Sequence, residues 1–149
     1  ILEKFLLEAS SFSRGVFMVQ DEVAKRICAK PGSKDYGSLS VFISYFSSPS
    51  YAFKVEKNVF FPEPKVSSAI IVLERINPSP DYEEAFFEFV RLAFRQRRKM
   101  LRATLRQRFE KEDIQKACEK TNIAETARPE SLSVEDFLAL FKELKLSVE

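Results

Sequence analysis

Asn77, Pro78, Ser79 and Pro80 split this chain into two stretches of different pattern. Two prolines so close together remove two backbone donors and hold the residues before them in extended geometry, so neither a helix nor a central strand runs through them. Upstream, short β-branched and aromatic runs alternate with helically spaced segments. Downstream, the spacing is helical nearly throughout. The sequence therefore predicts a strand-and-helix unit over 1–76, a linker over 77–80 and a helical unit over 81–149.

Within the first unit, ILEKFLLEAS carries Ile1, Leu2, Phe5, Leu6 and Ala9 at helical spacing. Strands are expected over 14–19, 51–56 and 68–75, the last around the β-branched run AIIVL. A short helix follows Gln20 and Asp21 until Pro31 and Gly32 stop it. The apolar run LSVFISYF over 39–46 fits a buried helix or a strand, and the helix is the preferred reading. Three strands do not close a doubly wound sheet, so this unit reads as the second half of a larger one. In the second unit, helices are expected over 81 to about 108, about 111 to 120, and 134–146. Ser133 and Asp136 have the spacing of an approximate capping box for the last of these.

Composition removes several classes of chemistry. There is no His, which excludes a histidine-based hydrolase triad or histidine metal cluster, and the three Gly form no glycine-rich nucleotide loop. Cys28 and Cys118 lack CxxC spacing and read as buried reduced thiols, which favours an intracellular setting. No apolar run approaches the roughly 20 residues that span a bilayer, and no leader pattern opens the chain, so a soluble protein is expected.

The net charge of +2 conceals a strong asymmetry: residues 91–108 hold eight Lys or Arg and no acidic residue. On one continuous helix, Arg91, Arg95, Arg98 and Arg102 would share a face beside an apolar stripe of Val90, Phe94, Leu101 and Leu105. Two readings fit this segment. The guanidinium groups can meet the phosphates of a nucleic acid, or they can pair with acidic flanks such as Glu83, Glu84 and Glu88.

FFPEPKVSSA, over 60–69, places two aromatic rings beside Pro62 and Pro64. A rigid connector of this kind can hold a ring where a nucleobase stacks on it, with Lys65 near a phosphate. Equally, both rings can fill the core while the prolines shape a turn. Lys34, Asp35 and Tyr36 lie in a loop bounded by Pro and Gly, where polar residues serve as turn formers or as ligands.

FMVQDEVAKRI, PGSKDYGSLSV, FFPEPKVSSA and FRQRRKMLRATL occur in this order, followed by ARPESLSVEDFLAL. Together they resemble the ribosomal RNA adenine N6-dimethyltransferase family, whose bacterial members modify small-subunit RNA. The resemblance implies an α/β fold: part of a Rossmann-like methyltransferase domain, with only its C-terminal strands and helices, followed by a small all-α domain that helps to seat RNA. It implies S-adenosylmethionine-dependent dimethylation of N6 on two adjacent adenines. Small-subunit ribosomal RNA or a pre-30S ribosomal particle would be the partner of a cytoplasmic, monomeric enzyme with no membrane association.

Position by position, Phe60 matches the first aromatic of the family's F-x-P-x-P-K-V-x-S-A segment and is implied to lie against the target adenine, with Lys65 following it. Lys34 and Tyr36 match a loop on the substrate side. Arg95, Arg97, Arg98 and Lys99 match a basic segment near RNA phosphate, flanked by Arg91 and Arg102. The family's N-terminal glycine-rich loop, its acidic ribose-binding residue and its N-L-P-Y segment have no counterpart here. The likeness is thus to the C-terminal half, with S-adenosylmethionine bound by a missing N-terminal part, no cofactor or metal ligands in this chain, and no activity expected of the chain alone. A noncatalytic RNA-binding or ribosome-assembly module, or a relative of mitochondrial transcription factors, would carry the same residues.

Overall fold

The run AIIVL forms the middle of a three-stranded antiparallel sheet in the computed structural model, which describes residues 2–8, 12–76, 83–96 and 99–146. In chain order the elements of the first stretch are α1 (Leu2–Glu8), β1 (Arg14–Gln20), α2 (Asp21–Ile27), α3 (Ser38–Phe46), β2 (Ser47–Val55) and β3 (Ser68–Arg75). The order across the sheet is β1-β3-β2, with Val16 opposite Val72 and Ser50 opposite the same residue on the other side. An irregularity between Tyr51 and Phe53 leaves Ala52 unpaired and shifts the β2 register by one residue.

Alternation along β3 sorts its side chains. Ala69, Ile71 and Leu73 point to one face and are fully buried, as are Leu6, Ala24, Ile27, Val41 and Ile43 of the same unit. Ile70 and Val72 point to the other face, half-buried, flanked by exposed Val16 and Met18 on β1 and Phe53 on β2. LSVFISYF forms α3 as preferred, burying Ser40, Val41, Ile43, Tyr45 and Phe46, and the Ser40 hydroxyl donates to the Arg26 carbonyl.

Contacts divide the chain into two units, 1–29 with 39–78 and 30–38 with 79–149. The loop over 30–38 therefore groups with the helices. Its Gly32 N–H donates to the Glu130 carbonyl at 2.7 Å, and the Tyr36 hydroxyl donates to the Leu132 carbonyl at 2.8 Å. Gly32 has φ +86°, a conformation that a side chain would strain.

The described helices of this second unit are α4 (Glu83–Phe94), α5 (Leu101–Leu105), α6 (Lys111–Thr121) and α7 (Val134–Leu146). Phenylalanine rings join α4 to α7: Phe86 meets Phe141 at 5.7 Å, and Phe94 meets Phe137 at 5.7 Å. Left-handed Asn122 ends α6, with the Ile123 N–H returning to the Cys118 carbonyl at 3.0 Å. Cys28 and Cys118 are free thiols, half-buried and buried, and loss of solvation raises the pKa of both. No described helix is long and apolar enough to cross a membrane.

The single helix expected over 81 to about 108 does not form. Residues 81, 82, 97 and 98 lie outside the described residues, but α4 ends at Phe94 and α5 starts only at Leu101. The Arg95 N–H bonds to the Leu92 carbonyl, three residues back, and Met100 is extended. The Leu101 N–H donates at 2.8 Å to the carbonyl of Ala127 on a distant loop. Repulsion among cations at helical spacing weakens a helix through this segment, and the new direction still buries Leu101 and Leu105.

Ser133 and Asp136 form the capping box read from the sequence. The Asp136 N–H donates to Ser133 Oγ at 3.1 Å, and the Ser133 N–H donates to Asp136 Oδ2 at 2.8 Å. Replacing Ser133 by Ala is expected to lower stability by about 1 kcal/mol, read as a lower urea midpoint at unchanged slope, with Ser133→Asp close to wild type.

Candidate nucleic-acid interface

Prolines and short polar ties shape the connection between β2 and β3. After β2 the chain makes one 3₁₀ turn over Lys57–Val59, and the Phe60 N–H returns to the Lys57 carbonyl at 3.3 Å. Pro62 and Pro64 then lead back to Ser67 and β3, and the Phe61–Pro62 peptide bond is cis. The base of the loop is closed by Ser67 Oγ donating to Glu56 Oε2 at 3.1 Å, and Lys57 Nζ meets Glu63 Oε1 across it at 2.9 Å.

Asp21, the first residue of α2, ties this base to the sheet. Its N–H donates to the Ser67 carbonyl at 3.0 Å, while its carboxylate accepts from Tyr51 Oη and Lys25 Nζ, each at 2.6 Å. The bonds from Lys25 and Tyr51 hold the Asp21 carboxyl below its ordinary range. Accepting that bond, Asp21 pushes the Tyr51 phenol up to about 12. Lys54, 2.8 Å from Glu56, lowers the Glu56 pKa in the same way.

On this loop Phe60 is half-buried and Phe61 stands wholly in solvent. Burial of both rings in the core, one of the two sequence readings, is thereby overturned: two adjacent residues in extended backbone project to opposite sides. Lys65 is exposed and makes no ion pair among the described residues.

In the helical unit the expected row of arginines is rearranged by the break after α4. Arg97 and Arg98 lie outside the described residues, and Lys99 is exposed in the break. Arg102 turns instead to Glu125, at 3.4 Å. Arg91 and Arg95 line a shallow groove of about 500 Å³ together with Glu88, Leu92, Gln107 and Arg108. There Arg95 Nη1 donates to Gln107 Oε1 at 3.3 Å, and Arg108 Nη1 pairs with Glu88 Oε2 at 3.3 Å.

Arg91 has no ion pair among the described residues, so the groove presents three guanidinium groups against one carboxylate. Pairing with acidic residues thus accounts for Arg102 and Arg108 and leaves Arg91 and Arg95 open to an anion. Exposed pairs of this kind are weak, about 0–1 kcal/mol, and phosphate oxygens can displace them. Gln107 and Arg108 lie off the helical row of arginines that the sequence spacing indicates. Their signal is the repeated Arg-Gln-Arg triplet at 95–97 and 106–108.

Lys34 is exposed on the 30–38 loop, but Tyr36 is not available to a ligand. Its ring is 2 % exposed and packs edge-on against Phe94 at 6.2 Å, with its hydroxyl bonded to Leu132. Burial raises its pKa strongly. The expectation that Tyr36 meets RNA is corrected accordingly: it anchors the loop that carries Lys34.

Among the described residues the glycines do not form a nucleotide-binding turn. The Phe17 ring lies 2.5 Å from where a Cβ on Gly15 would sit, Gly32 and Gly37 belong to the 30–38 loop, and the β1–α2 junction at Gln20 and Asp21 has no glycine. Among the described residues no group of three or more His, Cys, Asp or Glu could hold a metal ion.

These elements define an α/β fold of the methyltransferase type. Two crystal structures share it: a dimethyladenosine transferase from Plasmodium falciparum (TM-score 0.79, 22% identity, 99% of this chain and 62% of that one) and the 23S rRNA methyltransferase ErmE (TM-score 0.68, 24% identity, 97% and 59%). The chain belongs to the ribosomal RNA adenine dimethylase family, whose model matches residues 1–146. Among its relatives is the ribosomal RNA small subunit methyltransferase A of Protochlamydia amoebophila, 46% identical over 145 residues that make up 97% of this chain and 51% of that protein. The protein of the same name from Chlamydia trachomatis serovar L2 is 44% identical over 149 residues, covering 97% of this chain and 54% of the relative. The chain thus spans about half the length of the curated relatives it matches.

The Asp21–Tyr51 bond makes the base of the loop sensitive to pH at both extremes. The folded Tyr51 pKa is raised, so its contribution to stability is complete below pH 10 and is lost as pH rises toward about 12. The Asp21 pKa is lowered, so its contribution holds above pH 3.8 and is lost as pH falls below that value. A tyrosinate absorbance titration should show a tyrosine ionising near pH 12 that returns toward 10 in Asp21→Asn; an unchanged titration would disprove the tie.

Proposed function

We propose that this chain is the RNA-seating part of an enzyme that transfers methyl groups from S-adenosylmethionine to N6 of two adjacent adenines in small-subunit ribosomal RNA. The observation that carries this reading is the family match over residues 1–146, in which the F-x-P-x-P-K segment forms a closed, exposed loop. Residues 1–76 are then the trailing part of the catalytic domain, and 81–149 a helical domain that holds the RNA backbone. The methyl donor is held by residues outside this chain. The parent enzyme acts in the cytoplasm as a monomer on ribosomal RNA or a pre-30S particle.

In this reading the chain contributes position. A target adenine that has left its stack lies against the half-buried ring of Phe60, and Lys65 meets its phosphate. Arg91, Arg95 and Arg108 hold the RNA backbone, with Lys34 and Lys99 contributing charge. Fixing the base in this way converts a bimolecular encounter into an oriented one, from which much of the rate derives. No acid or base is required from this chain.

In the full-length protein, Phe60→Ala is expected to lower methylation of pre-30S particles by about tenfold or more with little change in melting temperature, and Phe60→Tyr to retain it. Wild-type turnover in Phe60→Ala would sink the base-holding role. Changing Arg91, Arg95 and Arg108 together to Gln should reduce the slope of log affinity against log salt by about 2, and an unaltered slope would remove the groove from the interface. A full-length protein that binds the RNA without methylating it would leave a noncatalytic RNA-binding module as the function.

A further inference from the structure

Phe61 is fully exposed, at 102 % of its reference area, and the function proposed above makes no use of it. Val59 and Val66 of the same loop are exposed as well, so Phe61 belongs to an apolar cluster on the loop surface and is not a scattered single residue. The backbone of Phe60 is extended (φ −105°, ψ 149°), which turns Phe61 away from the side that takes Phe60. The loop beneath it is held in shape by the Ser67–Glu56 bond, the Lys57–Glu63 pair and the fixed φ of Pro62 and Pro64. A ligand meeting Phe61 therefore finds a pre-ordered loop and has only the ring's own side-chain rotation left to fix. Lys65 follows four residues later, exposed and without an ion pair among the described residues.

From this arrangement we infer that Phe61 is a second stacking platform, taking an unpaired nucleobase next to the one assigned to Phe60, with Lys65 close to the phosphate that joins them. The chemistry that fits is a flat π-face bearing a nearby anion. A purely apolar partner would leave the Lys65 ammonium without a counterpart. The inference rests on the reading that this loop meets RNA. It adds that the loop contacts two bases, one on each side of the chain.

The test uses the full-length protein and a single-stranded segment of small-subunit ribosomal RNA with 2-aminopurine beside a target adenine. Wild type should bind it and quench the probe by stacking. Phe61→Ala should bind about tenfold more weakly, the loss expected for one stacked base, without quenching and with an unchanged melting temperature. Phe61→Trp should restore both signals, whereas Phe61→Leu, apolar but without a π-face, should not. Wild-type affinity and quenching in Phe61→Ala would overturn the inference. So would a lowered melting temperature at unchanged affinity, which would show the ring covered by another part of the polypeptide. Equal binding by Phe61→Leu would reduce the contact to simple apolar burial and overturn stacking. If wild type binds and methylates while Phe61→Ala is unaffected, this inference alone fails; if wild type does neither, the proposed function fails with it.

Discussion

β3 is hydrogen-bonded along both edges, and the strand-bearing unit is organised by that constraint. Gln20 and Val55, at the ends of β1 and β2, are both paired with Ser68 at its start. One residue thus sets where α2 begins and where the connecting loop re-enters the sheet. A slip of one position in β3 would turn Ala69, Ile71 and Leu73 out of the core. Their full burial makes that alternative costly, so the placement of Phe60 follows from apolar packing some distance from the loop tip.

Much of this was legible in the sequence. The β-branched run of β3, the helix over LSVFISYF and the Ser133–Asp136 cap form as their local patterns indicate, because the signal for each lies in residues within a few positions of one another. The break between α4 and α5 could not be read in this way. It depends on the Ala127 carbonyl, 26 residues from the Leu101 N–H that it accepts, and local periodicity has no access to such a partner. Phe60 and Phe61 are likewise chemically identical in the sequence, and only the path of the backbone separates them. Tyr36 departs from expectation for a similar reason: the resemblance implies a place on the substrate side, yet its hydroxyl finds a backbone acceptor 96 positions away.

The two candidate surfaces differ in their physics. On the β2–β3 loop, rings and a lysine are presented on a frame tied at its base, which suits contacts that depend on geometry. In the groove beside α4, long arginine side chains lie partly engaged with Glu88 and Gln107, which suits a contact that depends on charge and adapts its shape. Glu88 also sets a threshold. A single weak anion gains little over the carboxylate already present, whereas a chain of phosphates can engage three guanidinium groups at once.

The clasp between Ser67 and Glu56 has a consequence for how such a protein can change over time. Because the loop is secured where it leaves and rejoins the sheet, residues 57–66 behave as a cassette. Substitutions at its tip alter what the loop presents without disturbing the strand register, which the β2–β3 pairing sets. Selection or engineering can therefore vary the tip within a framework held by the strand pairing and the buried face of β3.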